Sequence, residues 1–220
     1  MRYDLHIHTK YSKCSLLPPK ILLKKAKEKC LNGIAVTDHN TIKGALETKK
    51  LNKDKNFEVI VGEEIKTDKG DVIGLYLKKE IKPGKFEDVI KEIKKQGGLV
   101  VIPHPFTSIG ILRRSIKLKF EDIKDKIDAI ETFNARFFFK FENLKAKIKA
   151  KELNIAETGG SDAHFCFEVG RAYTEFGGSL RKALKNKVAV SKGSILLAFP
   201  ARVLSIIPIV LNFFKKLITT

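Results

Sequence analysis

The sequence predicts an α/β fold in which parallel strands close into a barrel, and three observations carry that prediction. Short apolar runs alternate with amphipathic helical segments along most of the chain, the pattern of strands joined by helices. All five histidines, with several acidic residues, fall where a predicted strand gives way to a loop, the edge that holds the reactive groups in a barrel of parallel strands. The length of 220 residues is near that of one such barrel.

The first strand is expected over residues 3–8, carrying His6 and His8 between Leu5 and Ile7. Residues two apart on a strand point the same way, so both imidazoles can face one point with Leu5 and Ile7 packed behind them. Pro18 and Pro19 open a helix that runs to about Cys30 and stops at Asn32-Gly33. A strand over 33–37 ends in Asp38-His39-Asn40, and a lysine-rich helix follows. A third strand over 57–61 ends in Gly62-Glu63-Glu64, and a fourth covers 71–77. Residues 83–96 form an amphipathic helix with Phe86, Val89, Ile90 and Ile93 on one face. Strands over 99–102 and 127–130 end in Pro103-His104-Pro105 and Glu131-Thr132-Phe133-Asn134. A helix over 137–153 leads to Gly159-Gly160-Ser161-Asp162-Ala163-His164, and a strand over 172–176 and a helix over 180–184 complete the pattern.

Hydrophobic residues make up 43% of the chain and charged residues 31%, an ordinary globular balance. Lys and Arg number 43 against 25 Asp and Glu, a formal charge of +18. Such a field attracts polyanions: nucleotides, nucleic acid or an anionic membrane surface; scattered lysines on a solvated surface give the same count. Cys14, Cys30 and Cys166 have no framework spacing, which points to free thiols in a reducing cytoplasm. No signal peptide is expected, because the histidine motif begins at once.

The candidates for chemistry are His6, His8, His39, Glu63 or Glu64, His104, Glu131, Asp162 and His164. Mixed imidazole and carboxylate ligation suits zinc, manganese or iron. The set exceeds what one tetrahedral ion takes, so two or three divalent ions are implied. Closely spaced ions lower the pKa of a shared water and hold phosphate oxygens during in-line displacement. The expected activity is therefore hydrolysis of a phosphoester by a metal-activated water.

Asp-Leu-His-Ile-His-Thr, Thr-Asp-His-Asn, Gly-Glu-Glu-Ile, Pro-His-Pro and Gly-Ser-Asp-Ala-His, in this order, resemble the motifs of the polymerase and histidinol phosphatase (PHP) superfamily. The resemblance covers about residues 1–178 and is closest to the small stand-alone phosphoesterases, including the Asn134-x-Arg136 and Val169-Gly170-Arg171-Ala172-Tyr173 segments. It implies a distorted (β/α)7 TIM-like barrel of the PHP type and a trinuclear site. In that scheme His6, His8, a bridging glutamate and Asp162 hold one ion. The same glutamate, His104 and Glu131 hold a second, and His39 and His164 hold a third. The bridging glutamate is Glu64, because it matches the family's Gly-x-Glu pattern and Glu63 points to the other face of a regular strand. Catalysis is expected from His6, His8, Glu64, Asp162 and His164. Two departures stand out. Where many relatives have an acidic residue this chain has Cys14, either a soft ligand or a bystander. Where relatives often have a histidine after the glycine of the fourth strand, it has Asp71.

Arg136 and Arg171 follow Glu131 and the last metal motif, and are expected either to grip substrate phosphate or to serve structural ion pairs. Phe137-Phe138-Phe139 and Phe141 can stack on bases, though core packing accounts for most of them. The barrel is expected over residues 1–190. Residues 191–220 are an apolar tail containing Pro200, Arg202 and Pro208, expected to pack on the barrel or lie at an interface, with membrane-surface contact as the alternative. Three functions compete: a phosphoesterase of nucleotides or short nucleic acid, a phosphatase of a small metabolite such as histidinol phosphate, and a non-catalytic scaffold that binds RNA or protein. The full ligand set ranks the scaffold last. The sequence leaves the oligomeric state open.

Overall fold

The structure, a computed structural model, describes residues 1–106, 115–137, 139–196 and 204. The elements run β1 (Arg2–Ile7), α1 (Pro19–Glu28), β2 (Gly33–Val36), α2 (Lys43–Leu51), β3 (Glu58–Thr67), β4 (Gly70–Leu75), α3 (Phe86–Lys95), β5 (Leu99–Ile102), α4 (Phe120–Ile123), β6 (Ala129–Asn134), α5 (Lys140–Glu152), β7 (Ala156–Gly160), β8 (Ala172–Glu175), α6 (Leu180–Lys185) and β9 (Val190–Gly193). The strands form one sheet in the order β7-β6-β5-β4-β3-β2-β1-β8-β9. Beyond β7 the Asp162 N–H donates to the His6 carbonyl at 2.7 Å, and the His8 N–H donates to the Ala163 carbonyl at 2.9 Å. These bonds draw β7 to the upper part of β1, so β1–β7 form a nearly closed seven-stranded barrel. The other end of β1 pairs with β8 through Arg2 and Tyr3.

The strands are not all parallel. β1–β3 are parallel, as are β5–β7, but β4 is antiparallel to both β3 and β5. Two residues, Asp68 and Lys69, separate β3 from β4. That is too short for a crossover and forces a hairpin; Gly70 takes φ +124° at its far side. β3 therefore extends six residues past the expected end at Val61, and both Glu63 and Glu64 lie inside it. The strand expected over 172–176 also runs antiparallel, to β1 and to β9. Two elements were not expected: the short α4, and β9, whose Val-Ser-Lys-Gly sequence has no apolar run. β9 crosses the boundary expected between residues 190 and 191.

Strand alternation builds two cores. Tyr3, Leu5, Ala35, Ile60, Ile73, Val101, Ala129 and Ala156 fill the barrel. Ile34, Val59, Val61, Ile65, Val100, Ile102 and Ile130 face outward onto Leu22, Ala45, Val89, Ile93 and Ala146 of the helices. Each large side chain so buried contributes ~1.5–3 kcal/mol. In β1 the register shifts between Asp4 and Ile7, so Leu5 belongs to the inner core and Ile7 to the outer one. The expectation that both pack behind the histidines is corrected: the irregular strand sets His6 above the inner core instead.

Candidate metal centre

One layer above this apolar floor, polar side chains replace hydrophobic ones. On β3, Ile60 points inward, and the alternation continues through Gly62 to Glu64; on β4 it passes from Ile73 to Asp71, and on β6 from Ala129 to Glu131. Glu63 faces the other way, where its Oε2 accepts the Ile81 N–H at 2.9 Å, and burial pushes its pKa up to about 8.

Glu64 is the centre of the layer. Its Oε2 lies 3.0 Å from His39 Nδ1, 3.2 Å from His8 Nε2 and 3.5 Å from His6 Nε2, and its Oε1 lies 2.9 Å from His104 Nε2. Asp162 Oδ1 is 3.3 Å from His8 Nε2, 3.7 Å from His6 Nε2 and 3.6 Å from His164 Nδ1. The His6 and His8 Nε2 atoms face each other at 3.1 Å. The His8 ring stands 4.4 Å from the rings of both His39 and His164. His6, His8, His104, Glu64, Asp162 and His164 are buried; His39, 41% exposed, marks the mouth.

These spacings fit metal ligands. Around a tetrahedral ion with bonds of ~2.0–2.1 Å, neighbouring ligand atoms lie ~3.3 Å apart, within the range seen here. Glu64 Oε2 is buried, contacts three imidazole nitrogens and makes no hydrogen bond, as suits an atom aimed at a cation. Four groups have ligand atoms within 4.8 Å of one another: His6, His8 and Glu64; His6, His104 and Asp162; His8, His39 and His164; and Glu64, Asp71 and His104. Seven of the eight expected ligands are therefore brought together, and Asp71 joins them.

Glu131 is placed differently. Its Oε1 accepts from His6 Nδ1 at 2.9 Å and its Oε2 from Asn134 Nδ2 at 2.9 Å. Among the described residues it falls in none of the four groups. A carboxylate that takes the Nδ1 proton leaves the His6 Nε2 lone pair free for an ion. Ser12 serves His8 in the same way. Its hydroxyl donates to Asp38 Oδ1 at 2.7 Å, so toward His8 it accepts, and the His8 Nδ1–H donates to it at 3.3 Å. Asn134 also reaches Asp162 Oδ2 at 3.3 Å. Asp4 supports the Asp162 loop by accepting the Ser161 and Gly170 N–H groups, each at 2.9 Å, and burial raises its pKa to about 7. The sequence did not single out Ser12, Asp38 and Asn134 as working residues, although each lies within four residues of an expected ligand. His104 and Asp162 both take φ +53°, an uncommon backbone for residues other than glycine.

The arginines do not enter the ligand layer. Arg136 is buried, with Nη1 2.7 Å from His164 Nδ1, which also lies 2.7 Å from the Asp162 carbonyl oxygen, and Nε 3.0 Å from Glu168 Oε1. Arg171 Nε donates to the Phe167 carbonyl at 3.2 Å. Phe137 is buried, Phe139 and Phe141 are exposed, and Phe138 lies outside the described residues. Core packing thus accounts for Phe137 alone of those described.

The electrostatics are those of a cluster holding protons between carboxylates. Burial opposes charge on His6, yet Glu131, Asp162 and Glu64 outweigh it and hold the pKa well above the usual imidazole range. His39 is raised against burial by Glu64 and by the adjacent Cys14 thiol. Glu64 is held well below the carboxylate range, because His39, His6 and His104 overcome its burial. Burial, Arg136 and His8 push His164 well down. Burial and then Glu64 raise Asp71 to about 7.

Comparison with known proteins gives a consistent result. The PHP domain family matches residues 4–157, and a PHP-associated family matches residues 140–188. An uncharacterized protein of Methanocaldococcus jannaschii is 42% identical over 146 residues, which are 61% of this chain and 82% of that one. A second uncharacterized protein of that organism is 38% identical over 183 residues, 80% of this chain and 70% of that one. A Bacteroides vulgatus two-domain protein, described as containing a predicted PHP-like metal-dependent phosphoesterase, shares the fold with a TM-score of 0.72 and 19% identity. The similarity covers 88% of this chain and 65% of that one. An amidohydrolase from Chromobacterium violaceum aligns with a TM-score of 0.62 and 15% identity over 86% of this chain and 97% of that one.

Proposed function

The chain belongs to the PHP domain family, and on that footing we propose that it hydrolyses phosphoester bonds with two or three divalent ions, zinc, manganese or iron, on nucleotides or short nucleic acids. The observation that carries the proposal is the convergence of three imidazole nitrogens on the hydrogen-bond-free Glu64 Oε2. Oxygen and nitrogen donors in this mixture suit borderline transition metals better than magnesium.

His6, His8 and Asp162 would hold one ion with Glu64, and His39 and His164 another, with Cys14 beside His39. The remaining position would take Glu64, His104 and Asp71. In this scheme Glu131 orients His6 and leaves the third ligand to Asp71. Ions so held would supply Lewis acidity and would lower the pKa of coordinated water toward neutrality. The chain's own part is to orient His6 and His8 through Glu131 and Ser12, so that each Nε2 faces the ion that displaces its proton, and to place the donors on a rigid barrel mouth. Arg136 bears on His164 and acts as a positioning residue. The preference for nucleotides or nucleic acid is supported by the net charge of +18.

The test is a panel of a phosphomonoester, a phosphodiester, mononucleotides and 5′-phosphorylated oligonucleotides, assayed with metal content measured alongside. Chelator-sensitive turnover is expected, with KM for oligonucleotides rising steeply with salt. Turnover of small monoesters alone, without salt dependence, would transfer the substrate to the small-metabolite class. Chelator-insensitive turnover, or none with metal bound, would refute the proposal.

A further inference from the structure

The face of the barrel built by α5 is inside out. The helix turns Glu142, Asn143, Ala146 and Ala150 inward and leaves Phe141, Leu144 and Ile148 in solvent, 43%, 57% and 49% exposed. Positions 141, 144 and 148 share one side of a helix, so these side chains form a continuous apolar stripe. Phe139 extends it, exposed and stacked on Phe141 with ring centroids 5.2 Å apart. Lysines flank the stripe on both sides: Lys145 on one, its ammonium 5.2 Å from the Phe141 ring centroid, and Lys140, Lys147 and Lys151 on the other, all exposed. The helix's own acids do not neutralise them, since Glu142 is buried and Glu152 pairs with Lys149; Lys147 makes one long ion pair, 3.9 Å to Glu157 Oε2 of β7.

The stripe borders a groove of about 700 Å³ where α5 meets the residues after β9, lined in part by Leu144, Ile195 and Leu196. Leu196 is 81% exposed. From there the sequence continues through 24 further residues that are largely apolar, carry Arg202, Lys215 and Lys216, and contain no acid. An apolar stripe and a lysine margin thus share one face. The tail can cover apolar surface but cannot neutralise the lysines, because it adds charge of the same sign. A surface that offers both negative charge and an apolar interior complements the stripe and its margin.

We propose that the α5 face docks the protein on an anionic lipid bilayer, with Phe141, Leu144 and Ile148 entering the headgroup layer and the lysines bound to acidic headgroups. This attachment is independent of the ligand layer and does not rest on the proposed hydrolysis.

The experiment is cosedimentation of the full chain with phosphatidylcholine vesicles, with and without phosphatidylserine, at low and high salt. The wild type and the variant carrying Leu144→Glu and Ile148→Glu are compared. Both positions are exposed, so the variant should keep its circular dichroism and metal content. Wild-type binding is expected to require phosphatidylserine and to weaken with salt, and the double variant should bind at least ~10-fold more weakly. Equal binding by the two proteins would assign attachment to the tail alone and overturn the role of α5. No binding to anionic vesicles, or a stripe-dependent dimer in its place, would overturn the proposal altogether.

Discussion

Replacing Gly160 with alanine tests whether the ligand layer depends on close backbone packing. A Cβ at this position would lie 2.3 Å from His6 Cβ, 2.7 Å from Glu131 Oε1 and 2.9 Å from the His6 nitrogen. None of these is the far end of a flexible side chain free to swing away: two belong to the β1 backbone and its first side-chain atom, and Glu131 is held by His6 and Asn134. To reach ordinary contact His6 must retreat by about 1 Å. Overpacking of this kind costs ~1–3 kcal/mol, which lowers Tm by ~2–12 °C in a chain of this size. The larger effect falls on metal binding, because a ligand displaced by ~1 Å lies well outside the ~0.2 Å tolerance of a coordination shell. Affinity should fall at least ~100-fold, the upper range for losing one supporting contact. Gly159→Ala is the control. Its Cβ would meet the Tyr173 carbonyl oxygen at 2.6 Å, on the β8 side and away from the ligands. It should lower Tm while changing metal affinity by no more than ~3-fold. Isothermal titration with Mn2+ or Zn2+, beside thermal melts, separates the two. If Gly160→Ala loses stability but binds metal like the wild type, His6 is not a ligand and the packing argument fails.

Three further outcomes follow from the same geometry. Ser12→Ala removes the acceptor that fixes the His8 tautomer and should weaken metal binding ~10–100-fold, read by competition with a chromophoric chelator; an unchanged affinity would remove Ser12 from the centre. His6 and His39 both hold protons well above the usual imidazole range, against burial, because of the surrounding carboxylates. Ions must displace these protons, so metal affinity should rise with pH through the neutral range and calorimetry in buffers of different ionisation enthalpy should record proton release; a pH-independent affinity would contradict the assignment. Arg136→Lys keeps the charge but loses the fork that spans His164 and Glu168. It should lower kcat with KM held within ~2-fold, and a rise in KM alone would return Arg136 to phosphate binding.

The sequence made most of the centre legible because His6, His8, His39, His104, Asp162 and His164 all lie at the same ends of parallel strands. That logic does not reach Asp71, which joins the proposed centre. In a parallel strand the first residues lie at the opposite face from the proposed ligands, and Asp71 is the second residue of its strand. Because β4 is antiparallel, its beginning comes to the mouth instead. Glu131 shows the converse in the proposed scheme. It lies on a parallel strand where a ligand is expected, and its oxygens meet His6 Nδ1 and Asn134, contacts invisible in sequence. The shift of phase within β1 was also hidden, because period-two alternation assumes a regular strand. The left-handed backbone at His104 and Asp162 has no signature in residue type, since neither is glycine. Residues 197–203 and 205–220, with most of the expected tail, lie outside the described residues; among those described no helix is long and apolar enough to cross a membrane.

The central claim is that Glu64 is the shared ligand of a multinuclear metal centre. Anomalous diffraction from crystals grown with Mn2+ or Zn2+ tests it most directly. The account predicts two or three peaks within bonding distance of the His6, His8, His39, His104, Asp71, Asp162 and His164 donor atoms, at least two of them sharing Glu64. A peak bound to Glu131 in place of Asp71 would overturn the assignment of those two carboxylates. No peak at Glu64, with ions bound elsewhere, would contradict the account as a whole.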